Sequence, residues 1–513
     1  MEAARLPWTK AVMRNRWRYF RPVCDYLGLL LWLVAPLLLV PLAARAAFAE
    51  AERVEVAPHA FWLPAVLCAA LGLLLKRNLR FPALDNRRAM ILCALGWIVI
   101  SAVGALPFWL GQGMSFLDAY FETVSGFTTT GITMLGGLDF LPRSVLFWRA
   151  FIQWLGGLGI LTFFLAILYT GGSAHRLFGA ESHKVLSRRP TPSLARSLRI
   201  LWSIYALFTL GVLLALILEG VSVFDAVAHS MTALATGGYS PYDASIDAYR
   251  RAGHPHFVLI EYTLIAGMLL GGINFFAHYR WLRGDVRALW DGMEMRLWWA
   301  IVLGATALVM LDRFVKFGWP AGAAAPGQVH QTFRDSLFQV VALVTTTGFA
   351  TKDIAAEHFP AMSKQVFLVL MVVGGCVGST GGGFKVFRVG VLGKMVYRQM
   401  KRLMYGPSVV HPLVVDGEAV EAEELRRIAA LFFAWIALLA FGAGVTAVLS
   451  DHGALPAASG MFSALGNIGP CYIPTPQMAG LHPAIKIVYI LGMLAGRLEI
   501  LPLLLLFSRR TWR

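Results

Sequence analysis

Four times along this chain, a short apolar segment runs into a turn rich in threonine and glycine, and a longer apolar stretch follows. The segments are FETVSGFTTTGIT, ending at Thr133, AHSMTALATGGYS, ending at Ser240, FQVVALVTTTGFA, ending at Ala350, and MFSALGNIGP, ending at Pro470. Their first shared glycines, Gly131, Gly237, Gly348 and Gly469, stand 106, 111 and 121 residues apart. A repeat of this kind constrains the fold more than any other feature, because each period must be one structural module and the modules must pack on one another. Each module reads as a long apolar run, the short segment, the turn and a second long run. The short segments lack the ~20 residues a helix needs to cross a ~30 Å hydrocarbon core, so they are expected to enter the bilayer and return as re-entrant helices.

The bilayer itself follows from composition. Hydrophobic residues make up 58% of the 513 and charged ones 14%, with a mean hydropathy of +0.64, against about 45–50% apolar and 25% charged in soluble domains. Apolar stretches at Leu27–Phe48, Phe61–Leu75, Ile91–Leu110, Leu146–Tyr169, Ile200–Leu218, Val258–Phe276, Leu297–Leu311, Val366–Val389, Ile428–Leu449 and Ile485–Phe507 predict at least ten spans. The expected fold class is an all-α integral membrane protein. Lys10, Arg14, Arg16, Arg18 and Arg21 precede an apolar run too long for a signal core, so the first span is expected to be an anchor and not a cleaved leader.

The net charge of +16 does not point to nucleic acid, because the basic residues sit in short segments between spans. Lys184, Arg188, Arg189, Arg196 and Arg199 form one block, Lys385, Arg388, Lys394, Arg398, Lys401 and Arg402 a second, and Arg509, Arg510 and Arg513 a third. Positive-inside bias predicts that all are cytoplasmic and that the segments with Glu50, Glu52 and Glu55, or Asp243 and Asp247, lie outside. The cysteines, Cys24, Cys68, Cys93, Cys376 and Cys471, are odd in number and lack metal-ligand spacing, so neither a disulfide framework nor a metal site is expected.

Three of the short segments start with a capping pattern, Ser115-Phe-Leu-Asp118, Ser222-Val-Phe-Asp225 and Thr332-Phe-Arg-Asp335; the fourth starts near Pro456 and Ser459 without the acid. At the far end, glycine lets successive carbonyls face one way, and a ring of such carbonyls beside threonine hydroxyls can replace the hydration shell of a monovalent cation. The negative end of the preceding helix dipole favours a cation there as well. A single TTTG can equally be a helix cap or a close-packing site. The fourfold recurrence favours a filter.

At this point the chain resembles the Trk/Ktr/HKT superfamily of potassium transporters, and most closely its bacterial TrkH branch, through the segments quoted above and LPRSVLFWRAFIQWLGGLGI, GGCVGSTGGGFKVFR and GRLEILPLLLLF. The resemblance implies four pseudo-symmetric M1–pore helix–M2 units around a central pore, preceded by two extra helices. That gives expected boundaries at 1–82, 83–176, 177–290, 291–404 and 405–513. It also implies potassium uptake across the bacterial inner membrane, a homodimer among membrane lipids and a cytoplasmic nucleotide-binding subunit of the TrkA type. No bound cofactor is implied, and potassium is the substrate. By the same resemblance the ion is contacted at Thr129, Thr130 and Gly131; Ala235, Thr236 and Gly237; Thr346, Thr347 and Gly348; and Asn467, Ile468 and Gly469. Ala235 offers only its carbonyl and the fourth set has no threonine, so the fourfold symmetry is broken. In this superfamily a serine at the first filter glycine goes with sodium; Gly131 favours potassium.

Two features read as gates. Gly374, Gly375, Gly378, Ser379, Thr380, Gly381, Gly382 and Gly383 interrupt the second run of the third module, and glycine costs a helix about 1 kcal/mol per residue relative to alanine. The stretch is either a tight helix crossing or, by resemblance, the intramembrane loop 374–383 beneath the filter; it lacks the phosphate-loop pattern. Arg497 lies inside the last span, where it either repels cations as a second barrier or pairs with another helix; Glu499 is poorly placed to be its direct partner. Glu122, His229 and Gln339 are expected to brace the filter from behind by hydrogen bonds. Asp139, Asp243 and Asp353 either concentrate cations at the mouth or are merely exposed. Ion-coupled symport with protons or sodium is the rival within transport, though few titratable groups lie near the filters. An intramembrane enzyme built on His175, His183, His229, Glu261 and His278 is disfavoured, since no catalytic motif links them.

Overall fold

The computed structural model describes residues 10–48, 56–76, 84–159, 194–320, 322, 325–405, 412–508 and 511. Lys184, Arg188, Arg189, Arg509, Arg510, Arg513, His175, His183, Glu50, Glu52, Glu55 and the far end of the Leu146–Tyr169 stretch lie outside them. The described chain is helical apart from a small antiparallel ribbon that pairs Val414 with Ala419 and Val415 with Glu418. It is an all-α membrane protein in which each module contributes an unbroken helix, a short pore helix and a second helix.

The opening helices of the modules are Asn86–Gln112, Leu194–Leu218, Gly292–Phe317 and Ala422–Leu449, and the pore helices are Phe116–Phe127, Val223–Leu234, Ala325–Val344 and Ala454–Gly466. The second helices differ from the expectation of continuous spans. Arg143–Gly157 stops at Leu158. Phe257–Gly272 meets Phe275–Leu282 at 105°. Ala361–Val373 and Val386–Tyr405 are parted by the glycine-rich loop, and Pro483–Leu498 and Leu501–Phe507 by Glu499 and Ile500, with φ of +59° and +66°. Among the described residues four helices are long and apolar enough to cross a bilayer alone, or five if the bent pair is one span. Ten apolar stretches do not make ten straight helices, because hydropathy records the side chains and is blind to a break in the backbone. Such breaks are tolerated at membrane depth when protein surrounds them.

The pore helices begin as two different designs. Ser115 and Ser222 each accept from the amide three residues on, at 3.1 Å, and their hydroxyls meet Asp118 and Asp225 at 2.7 Å. The third expected cap is not formed. That helix starts at Ala325, so Thr332 lies buried inside it and Asp335 faces His358 Nε2 at 3.4 Å. Pro326 is compatible with a first helical turn, and nothing between it and Thr332 stops the helix. The fourth begins at Ala454 after Gly453, two residues ahead of Pro456, and Ser459 instead accepts from Tyr472 N at 2.8 Å.

The second helices pack against the pore-helix ends with no room for a side chain. A methyl on Gly156, Gly271 or Gly496 would lie 1.9, 2.7 or 2.1 Å from the carbonyl oxygens of Phe127, Leu234 and Leu465 respectively. Buried ion pairs fix the same elements, Arg149 Nε with Glu122 Oε1 at 2.9 Å and Arg334 Nε with Glu261 Oε2 at 2.5 Å, and so does the half-buried pair of Lys486 with Asp118. Arg149 also lies over the Tyr239 ring at 4.0 Å and donates to Ser240 O at 3.0 Å, linking the first module to the second. Arg149→Met strands the Glu122 carboxylate and is expected to cost about 3–5 kcal/mol, seen as a lowered unfolding temperature in detergent. Adding Glu122→Gln is expected to recover part of that loss.

Candidate functional site

Every pore helix ends in the same closure. Thr129, Thr236, Thr346 and Asn467 sit in the left-handed region at φ of +54°, +51°, +61° and +54°. Their amides bond the carbonyls of Gly126, Ala233, Leu343 and Ala464, and the next amides, of Thr130, Gly237, Thr347 and Ile468, reach back to Ser125, Thr232, Ala342 and Ser463 at 2.8–3.0 Å. This is the Schellman arrangement, whose left-handed position is ordinarily glycine or asparagine. Three modules place a β-branched threonine there, where the left-handed conformation costs roughly 1–2 kcal/mol. Strain held at matching positions marks a functional constraint.

Two residues further on come Gly131, Gly238, Gly348 and Gly469, at φ of +86°, +74°, +82° and +105°. A methyl on Gly131 would lie 2.3 Å from Gly237 O, one on Gly238 1.9 Å from Thr347 O, one on Gly348 2.0 Å from Ile468 O, and one on Gly469 2.9 Å from Thr130 O. Each module leans on the next and the fourth returns to the first, so the turns close a ring in chain order. The ring corrects the register of the second module. Gly238, not Gly237, is its ring glycine; Gly237 has no positive φ and stands where Thr130, Thr347 and Ile468 stand. Thr236 and Gly237 therefore match Thr129 and Thr130, while Ala235 matches Thr128 and Thr345. Aligning on the first glycine of ATGG misses this, because the closure counts from the left-handed residue.

The modules brace the ring differently at one equivalent position. Glu122 accepts from Met134 N at 2.8 Å and Thr133 Oγ1 at 3.0 Å. His229 Nε2 lies 3.2 Å from Ser240 Oγ, and Gln339 makes no side-chain hydrogen bond among the described residues. In the fourth module Gly460 leaves the space to Tyr489, whose hydroxyl would lie 2.0 Å from a methyl there. Gln153, which sequence reasoning passed over, donates to Gly237 O at 2.6 Å and accepts from Tyr239 N at 3.0 Å. Beyond the ring a cavity of about 350 Å³ is lined by Asp243, Asp247, Asp353, Lys352 and Arg251 among others. Asp139 instead accepts from Asp243 N at 3.3 Å.

On the opposite side lies the glycine-rich loop. Gly375 N bonds Gly382 O at 3.2 Å across its base, Phe275 N bonds Gly378 O at 3.0 Å, and Ser379 Oγ donates to Cys376 O at 2.6 Å. Glu294, another residue the sequence did not single out, accepts from Val377 N at 2.6 Å. A methyl on Gly381 would lie 2.8 Å from Thr345 O, on Gly382 2.4 Å from Gly466 O, and on Gly383 2.4 Å from Gly374 Cα. Thr380 Oγ1 donates to Leu234 O and Gly271 O, at 2.9 Å each. Arg497 donates to Thr380 O at 2.8 Å, Gly157 O at 2.6 Å and Gly156 O, while Glu499 is engaged by Arg388 at 2.7 Å. Loop and guanidinium together lie under all four pore-helix ends, beside a cavity of about 160 Å³ that Lys385 and Trp202 also line.

The enzyme candidates that fall in the described residues each have a structural partner, although Glu261 Oε1 and His278 Nδ1 are left without one among the described residues. His229 Nδ1 lies 3.0 Å from Asp225 O, Glu261 holds Arg334, and His278 Nε2 is 2.8 Å from Leu270 O.

The model of the TrkH family, described as a cation transport protein, matches residues 57–512. The Trk system potassium uptake protein TrkH of Escherichia coli (strain K12) is 32% identical over 505 residues, 96% of this chain and 100% of that protein. The protein of the same name from Vibrio parahaemolyticus is 31% identical over 505 residues, 96% of this chain and 99% of that one. The crystal structure of the potassium transporter TrkH from Vibrio parahaemolyticus matches with a TM-score of 0.81 at 29% identity, over 96% of this chain and 100% of that chain.

Gly348→Ala puts its methyl against Ile468 O and in a strained backbone conformation. It is expected to lower the preference for potassium over sodium by about tenfold or more, roughly 1.4 kcal/mol of discrimination, read from competitive rubidium uptake.

Proposed function

Because the chain belongs to the TrkH family of cation transport proteins and carries potassium across a bacterial inner membrane by a channel-like path, we propose that the path runs through the ring and is closed by the loop beneath it. It is a transporter and not an enzyme. The ion-contacting groups are Thr129, Thr130 and Gly131, Thr236, Gly237 and Gly238, Thr346, Thr347 and Gly348, and Asn467, Ile468 and Gly469, with Ala235 one position below. The observation that carries this is the ring itself, in which each module's glycine abuts the next module's carbonyl. Such a ring can dehydrate a monovalent cation.

Residues 374–383 and Arg497 form the closed gate. Arg497 places a fixed positive charge directly under the filter, held by the Thr380, Gly156 and Gly157 carbonyls, so it opposes a cation electrostatically as well as sterically. Module boundaries at 83–176, 177–290, 291–404 and 405–513, after an N-terminal pair within 1–82, suit this division of labour. The helix Val386–Tyr405 continues directly from the loop and carries Lys394, Arg398, Lys401 and Arg402. A cytoplasmic nucleotide-binding subunit of the TrkA type docking there would pull on the loop, and the Trk system names of the relatives support such a partner. We assign the working unit as a homodimer by the same family logic.

Uptake of potassium and rubidium, with sodium as competitor, in cells lacking other potassium routes tests the path. Passive conduction predicts a reversal potential that follows the potassium gradient alone; dependence on pH or sodium gradients would instead indicate symport. Arg497→Ala is expected to raise partner-free potassium flux in vesicles, each tenfold gain being about 1.4 kcal/mol of barrier, and unchanged or lower flux would remove Arg497 from the gate.

A further inference from the structure

The strained residues of the filter are the ones that touch the gate. Thr346 Oγ1 accepts from Gly382 N at 2.6 Å, and the one hydroxyl proton of Thr236 is shared between Thr380 Oγ1 at 3.2 Å and its neighbour Ala235 O at 2.7 Å. Thr129 Oγ1 lies 3.5 Å from Arg497 Nη1. In the fourth module Asn467 Nδ2 donates to Thr130 Oγ1 at 2.9 Å and to Met493 O at 3.0 Å, while its buried Oδ1 has no partner among the described residues. That oxygen would lie 2.6 Å from a methyl on Gly496 and 3.1 Å from one on Gly382, so it sits between the loop and the Arg497 helix. The same four residues carry the positive φ angles that set the turn.

Resting on the filter and gate assigned above, we propose that the loop is a positioning element for the filter as well as its plug. Thr380 and Gly382 hold the hydroxyls of Thr236 and Thr346, so the position of the loop sets the ion selectivity of the innermost filter layer. A plug that only obstructs changes how often ions pass and leaves their relative permeabilities alone. A loop bonded to left-handed threonines changes both, because withdrawing it removes hydrogen bonds that hold residues in a conformation they otherwise disfavour. Asn467 faces the same seam with its Oδ1 and, through the Nδ2 bond to Thr130 Oγ1, ties the fourth module to the first. Thr380 acts here as a positioning residue, through Thr236.

The test is the potassium-to-sodium permeability ratio, from bi-ionic reversal potentials of the full-length protein in planar bilayers. Thr380→Val keeps the shape and removes the hydroxyl that meets Thr236 Oγ1, Leu234 O and Gly271 O. The ratio is expected to fall about threefold to tenfold, the range one or two neutral hydrogen bonds supply, while Thr380→Ser keeps the wild-type ratio. Should the valine variant not accumulate in the membrane, Thr380→Ala, which keeps the Thr380 N bond to Gly271 O, supplies the same comparison. A selective wild type whose ratio is unmoved in Thr380→Val or Thr380→Ala overturns the coupling and leaves the filter standing. A wild type with no preference for potassium would instead count against the filter.

Discussion

Non-helical backbone held at the depth of a membrane finds no partner in lipid, so it must be buried in protein or line a watered path. That constraint organises this chain. The re-entrant turns meet it by a helix closure made four times over, in which one residue takes the left-handed conformation and two amides fold back on the helix. Two residues past the left-handed position, a glycine with positive φ brings each module against its neighbour's carbonyl. Around this the second helices need glycine, because Phe127, Leu234 and Leu465 present carbonyls where any side chain would collide.

The charges buried around the ring follow from the same requirement. An ion pair between helices is weak evidence for stability, yet breaking one leaves a charge with no solvent to receive it. Glu122 with Arg149 and Glu261 with Arg334 therefore act as fixed spacers between pore helices and second helices. The Arg497 guanidinium also engages backbone carbonyls, those of Thr380 and Gly157, beneath the pore-helix ends. The carbonyls that hold a cationic side chain there are the kind of ligand a passing potassium ion would use.

Much of this was legible in the sequence, and the failures have physical causes. The period, the re-entrant segments and the caps at Ser115 and Ser222 follow from length and spacing, and the cost of charge in hydrocarbon singles out Arg497 as a residue that must find partners. The cap at Thr332 fails because a permissive run beginning with Pro326 lets the helix start earlier. The register at Gly237 fails because two adjacent glycines look alike in a string, and only the backbone angles separate them. The breaks at Ile273 and Glu499 are invisible to hydropathy. Arg149 carried the same signal as Arg497, a charge within an apolar run, and lay in LPRSVLFWRAFIQWLGGLGI; Gln153 lay there too, but a lone glutamine has no comparable signature.

The cyclic order of the turns also has an evolutionary side. Residues 128–131 and 345–348 read TTTG and face each other across the ring, each with its outer two hydroxyls 2.7 Å apart, while ATGG and GNIG occupy the other diagonal. A pore assembled from identical subunits receives every mutation on all sides at once. Here a single codon change touches one wall, so the walls are free to differ, and in this chain they match across one diagonal and not across the other.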